Sequence, residues 1–136
     1  MWKALVSGLA GACAVTLMNE TIRQFDDEAP RLDLLGMRAL SDVASPDNLR
    51  AKALVSDLTL NTLYYSFVGA SDAESAPLCG AALGVSGGIG AVTLPGPMGY
   101  GNDLTNRTRK TRALSIAYYT AAGLIAGLVY RNLARA

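Results

Sequence analysis

Between Glu74 and Asp103 the chain runs for 28 residues, Ser75 to Asn102, without a charge. A helix needs about 20 apolar residues to cross the hydrocarbon core of a bilayer. This run therefore limits the chain to folds in which an uncharged helix is covered by lipid or by protein. Gly80, Gly84 and Gly88 recur in it at every fourth residue, which places them on one side of a helix. In water each helical glycine costs about 1 kcal/mol relative to alanine. In lipid the same stripe lets another helix approach backbone to backbone. Membrane residence with tight helix contact is the expectation.

Composition points the same way. Hydrophobic residues make up 51% of the chain and charged residues 17%, against about 25% charged in an average soluble domain. The formal net charge of +1 offers no basic face for nucleic acid. Histidine is absent, which removes the commonest metal ligand and general base. Cys13 and Cys79 lie in apolar segments without metal-type spacing. No phosphate-binding or dinucleotide motif is present. Gly84-Val85-Ser86-Gly87-Gly88 imitates a nucleophile turn but lacks both the strand–turn–helix context and a histidine. The chain is therefore expected to be non-enzymatic, with no catalytic residues, no metal and no cofactor.

Four apolar stretches give an all-α integral membrane four-helix bundle in a single domain, with spans at about 3–25, 52–70, 76–95 and 112–131. Met1-Trp2-Lys3 ahead of an apolar run also fits a signal peptide, and a retained helix is the preferred reading. Pro30 ends the first helix. Leu32, Leu35, Ala39 and Val43 then recur at helical intervals, with Arg31, Asp33, Arg38 and Asp42 between them. This pattern predicts a short amphipathic helix in the first loop, lying on the membrane or packed over the bundle. Ser45-Pro46-Asp47 predicts the start of the next helix, with Ser45 as N-cap.

With four spans, Arg23, Arg31, Arg38, Arg50, Lys52, Arg107, Arg109, Lys110 and Arg112 share one side, and Lys3, Arg131 and Arg135 the other. Nine against three places the first and third loops in the cytoplasm. Both termini then face outward, in a membrane of the bacterial inner type. Asn19-Glu20-Thr21 and Asn106-Arg107-Thr108 match the glycosylation sequon but fall on the cytoplasmic side, so neither is taken as a modification site.

Polar residues inside spans are the natural functional candidates, because burying them in hydrocarbon is expensive. Thr16, Glu20 and Arg23 share one helix face, and Asp57, Asn61 and Tyr64 another. Glu20, Arg23, Asp57, Asn61 and Tyr64 are thus expected to form an intramembrane polar network, with Arg23 paired to Asp57 or Glu20. Gly80, Gly84, Gly88, Gly123 and Gly127 are the expected helix-packing positions. Pro95, Gly96, Pro97 and Gly99 end the third span and form either a helix stop or a pore or ligand loop. The basic run from Arg107 to Arg112 suits anionic lipid headgroups, each basic residue contributing about 1 kcal/mol.

The leading functional expectation is a scaffold or accessory subunit that assembles through glycine-rich faces, with itself as a homo-oligomer or with a larger membrane complex. The alternative is a small oligomeric channel or transporter whose pathway is lined by the first three helices. The bilayer is the expected partner in both cases, and nucleic acid in neither.

Overall fold

Three residues in and beside the uncharged run set the ends of its helix. Asp72 accepts the Ser75 amide at 2.9 Å and Pro77 occupies the first turn, while Pro95 cannot continue the helix. The result is a helix over Ala76–Thr93, in a computed structural model that describes all of residues 1–136. The chain is all-helical and has no strands. In order it forms α1 (Trp2–Ile22), α2 (Leu32–Leu40), α3 (Leu49–Ser66) with a 3₁₀ turn over Phe67–Ala70, α4 (Ala76–Thr93) and α5 (Arg109–Arg135). Thr108 caps α5, its hydroxyl accepting the Thr111 amide at 3.1 Å.

Three helices, α1, α4 and α5, are long and apolar enough to cross a membrane. The shortest of them has 18 residues and is therefore about 27 Å long at 1.5 Å per residue. The second expected span, α3, does not join this group, since Arg50, Lys52 and Asp57 lower its hydropathy. Only 27 of 136 residues are buried, and Leu17, Leu60, Phe67 and Leu78 are each more than 60% exposed. An apolar exterior of that extent is unfavourable in water and suited to lipid.

Some expected boundaries move. α1 stops at Ile22 and not at residue 25, because the chain turns through Arg23–Phe25. α2 stops at Leu40, leaving Val43 outside the helix and exposed. α3 begins at Leu49, after Asn48 in the left-handed region at φ 55°. Ser45 is consequently not its cap; the Ser45 hydroxyl accepts Lys52 Nζ at 2.8 Å.

Helix order in space follows from small residues. α1 packs on α3 and α5, α5 packs on α4, and α3 barely touches α4. A Cβ at Gly80 would overlap the Gly123 carbonyl, one at Gly84 the Tyr119 carbonyl, and one at Gly88 the Ile116 backbone. In return, Gly123 meets the Gly80 carbonyl and Gly127 the Ala76 carbonyl. These five glycines therefore face each other across α4 and α5 of one chain. Gly8 and Gly11 give α1 the same closeness, against the carbonyls of Thr62 and Ala122. Val15, Tyr65, Val68, Tyr118, Ala122 and Ala126 fill the core between these helices.

The first and third loops are bound to each other at one end of the molecule. Arg31 N–H donates to the Leu104 carbonyl at 2.9 Å, and the Thr111 hydroxyl to the Glu28 carbonyl at 2.7 Å. Arg38 binds both the Tyr100 carbonyl and Asp103, and Lys110 pairs with Asp26 at 2.5 Å. α2 is thereby held as a roof across the adjoining end of α3.

Candidate functional site

Beneath the first half of α2 lies a cavity of about 250 Å³. α1 lines it with Thr16, Asn19 and Glu20, and α3 with Arg50, Asp57 and Asn61. These are offsets of three, four and seven residues, so each helix presents one polar face. α2 adds Leu32 and Asp33, and Tyr119 of α5 closes the wall.

The rim of this cavity is fully paired. Arg23 binds Glu20 at 2.7 Å, Arg31 binds Asp33 at 2.9 Å, and Arg50 reaches Glu20 at 3.3 Å and Asp33 at 3.6 Å. Asn19 ties the rim to the backbone, its Oδ1 accepting the Leu32 amide at 2.9 Å and its Nδ2 donating to Asp33 at 3.3 Å. Burial disfavours charge on Asp33, but hydrogen bonds from Arg31 and Asn19 and the charges of Arg31 and Arg23 outweigh it. They hold the Asp33 carboxyl at about 2.

The floor is different. Asp57 takes part in none of the ion pairs. Its carboxylate sits under Gly36 of α2, where a Cβ would stand 3.4 Å from Oδ2. Thr59, Ser86, Thr93 and Thr120 return their hydroxyls to the carbonyl four residues earlier. Thr16, which lines the cavity, makes no such bond. Asn61 and the Tyr119 hydroxyl likewise have no partner in the chain. Four polar side chains therefore converge with their hydrogen-bonding capacity unused, one of them a carboxylate without a counter-ion. The carboxylates of Glu20, Asp33 and Asp57 do not gather as a metal-binding group.

A second, more open groove of about 440 Å³ lies beneath the other half of α2, between α3 and α4. Leu35, Gly90, Leu94 and Met98 make it largely apolar, and Tyr119 borders it as well as the cavity. Tyr64 belongs here, its hydroxyl donating to the Leu83 carbonyl of α4 at 2.7 Å.

Of the expected network, Glu20, Asp57 and Asn61 meet in the cavity, Arg23 stands behind Glu20 on the rim, and Tyr64 faces the groove. Arg23 pairs with Glu20, and Asp57 has no cationic partner. In the turn after α4, Pro95 reaches the groove wall, whereas Gly96 faces the Asn102 amide and Gly99 faces open space. Pro97 does not line either space. Gly99 and Gly101 adopt φ of 91° and 82°, which glycine alone takes without strain.

Sequence reasoning passed over Asn19, Asp33 and Arg50. The signal for Asn19 is its spacing, three residues after Thr16 and four before Arg23, which puts it on the polar face of α1. No protein-family model, no curated protein and no solved structure matches this chain.

Proposed function

We propose that the protein is a small integral membrane carrier or channel element with four spans, α1, α3, α4 and α5, which takes a cationic solute from the cytoplasmic side into the cavity at Asp57. The unpaired Asp57 carboxylate, surrounded by the unused polar groups of Thr16, Asn61 and Tyr119, is the observation that carries this reading. A half-buried carboxylate without a partner is costly, and a cationic group entering the cavity offsets that cost.

The fourth span is supported by the outward side of α3 and the turn that follows it, where Val55, Leu60, Leu63 and Phe67 are exposed. Its charges lie elsewhere: Asp57 and Arg50 face the cavity, and Lys52 lies in the first turn with its ammonium on Ser45. Orientation is supported by the tie between the first and third loops, which gathers the nine basic residues at one end. Both termini then lie outside the cytoplasm. The glycine faces that favour a scaffold or accessory role are covered within one chain, which is why the solute-binding reading is preferred.

The test is uptake of ethylammonium and related small organic cations into proteoliposomes. Flux lost in Asp57→Asn, in a protein that remains folded, supports the proposal. No flux above Asp57→Asn for any cation, with stable co-purification of a membrane complex, returns the accessory-subunit reading.

A further inference from the structure

Resting on the proposed function, we infer that the solute is an amphipathic cation, with its positive group at Asp57 and its apolar tail in the groove between α3 and α4. The cavity and the groove lie side by side under one roof. Along α2, Leu32 and Asp33 cover the cavity, Gly36 stands over Asp57, and Leu35 and Ala39 cover the groove. Successive turns of one helix thus pass from a charged compartment to an apolar one. The same change occurs on α3, where Asp57 and Asn61 face the cavity and Tyr64, one turn further, faces the groove.

The partition between the two spaces is made of side chains. Tyr119 borders both, and the Tyr119 and Tyr64 rings come within 3.2 and 3.3 Å of a Cβ at Gly87. Aromatic rings turn on side-chain torsions, whereas a helix backbone would be a fixed barrier. Because α3 and α4 scarcely touch, the groove lies on a seam between two helices and suits a flexible hydrocarbon chain arriving from the bilayer. Charge and apolarity are divided between neighbouring spaces as they are in an amphipathic cation. A fully hydrophilic cation would leave the groove unused, and a neutral lipid tail would leave Asp57 unpaired.

Gly90 provides the test position. A Cβ there has only Leu94 Cδ1 near it, at 3.6 Å, and the remainder of a larger side chain extends into the groove. Binding of ethylammonium and octylammonium is measured by equilibrium dialysis with the full chain in phosphatidylcholine nanodiscs, and protein-free nanodiscs correct for partition into lipid. Octylammonium is expected to bind on the order of a thousandfold more tightly than ethylammonium, given burial of most of its six added methylenes. Gly90→Leu is expected to weaken octylammonium roughly tenfold and leave ethylammonium within about twofold, since only the tail space is filled. Ala39→Leu, which fills the groove from the roof, is expected to act in the same direction and serves if Gly90→Leu fails to fold. Asp57→Asn is expected to abolish binding of both. Asp57-dependent ethylammonium binding without a tail effect, unaltered by Gly90→Leu and Ala39→Leu, overturns this inference and leaves the proposed function standing. Loss of Asp57 dependence for both cations overturns the two together.

Discussion

Asn19 of α1 accepts the backbone amide of Leu32 at 2.9 Å, so one helix supplies the N-terminal cap of another. α2 has no side-chain cap of its own, and its first turn depends on this bond and on the ion pairs beside it. The position of the roof over the cavity is therefore set from α1.

Asn19→Ala is expected to destabilise α2 by about 1 kcal/mol, the usual effect of removing a cap. Hydrogen exchange checks this: amides of α2 should exchange faster, while those of α4 and α5 keep their protection. Equal acceleration across all helices would show that Asn19 supports the whole fold and not the roof.

A pH dependence follows from Asp33. Its carboxyl is held at about 2, below the ordinary value of 3.8. A carboxyl depressed by folding contributes stability that is fully present above its unfolded value. That contribution disappears as pH falls through the folded value. The predicted window is thus from about pH 4 down to about pH 2, and the loss is on the order of 2 kcal/mol. Thermal melts in nanodiscs across that range measure it, and Asp33→Asn should remove the dependence attributable to this group.

Asp57 and Glu20 are expected to behave differently when neutralised. Glu20→Gln breaks pairs with Arg23 and Arg50 and is expected to lower stability by up to about 1 kcal/mol, since those pairs are partly exposed. Asp57→Asn breaks no pair and is expected to leave stability unchanged or raise it, while removing cation binding. A marked destabilisation by Asp57→Asn, seen in thermal melts, would identify an internal partner for this carboxylate.

Gly84→Leu is expected to destabilise the monomer by at least about 3 kcal/mol, because the new side chain meets the Tyr119 carbonyl and the Thr120 backbone. Since that contact lies within one chain, the effect should not depend on protein concentration. A concentration-dependent change in assembly size with unaltered monomer stability, measured by analytical ultracentrifugation and melting, would place the glycine face between copies.

Much of this architecture is legible in the residues. The helix of the uncharged run ends just before Pro95, and α2 appears where Leu32, Leu35 and Ala39 repeat. Helix starts are less legible: Ser45-Pro46-Asp47 carries every local signal for a cap, yet α3 waits until Leu49, after the left-handed Asn48. Val43 continues an apolar period beyond the real end of α2, because periodicity records which side a residue would face and not whether the helix persists.

The sequence by itself determined that this chain is helical and apolar, and that polar faces on α1 and on the segment of Asp57 have to be covered or used. Those properties depend on spacing and composition along one helix. Tertiary structure decided the partners. A glycine stripe states that some backbone comes close, but only folding shows that it belongs to α5 of the same chain. Likewise, Arg23 stands three residues from Glu20 in the sequence, but only packing brings it to Glu20, adds Arg50 from another helix and leaves Asp57 without a cation. Pairing across helices is a property of the distance between them, and local sequence does not encode that distance.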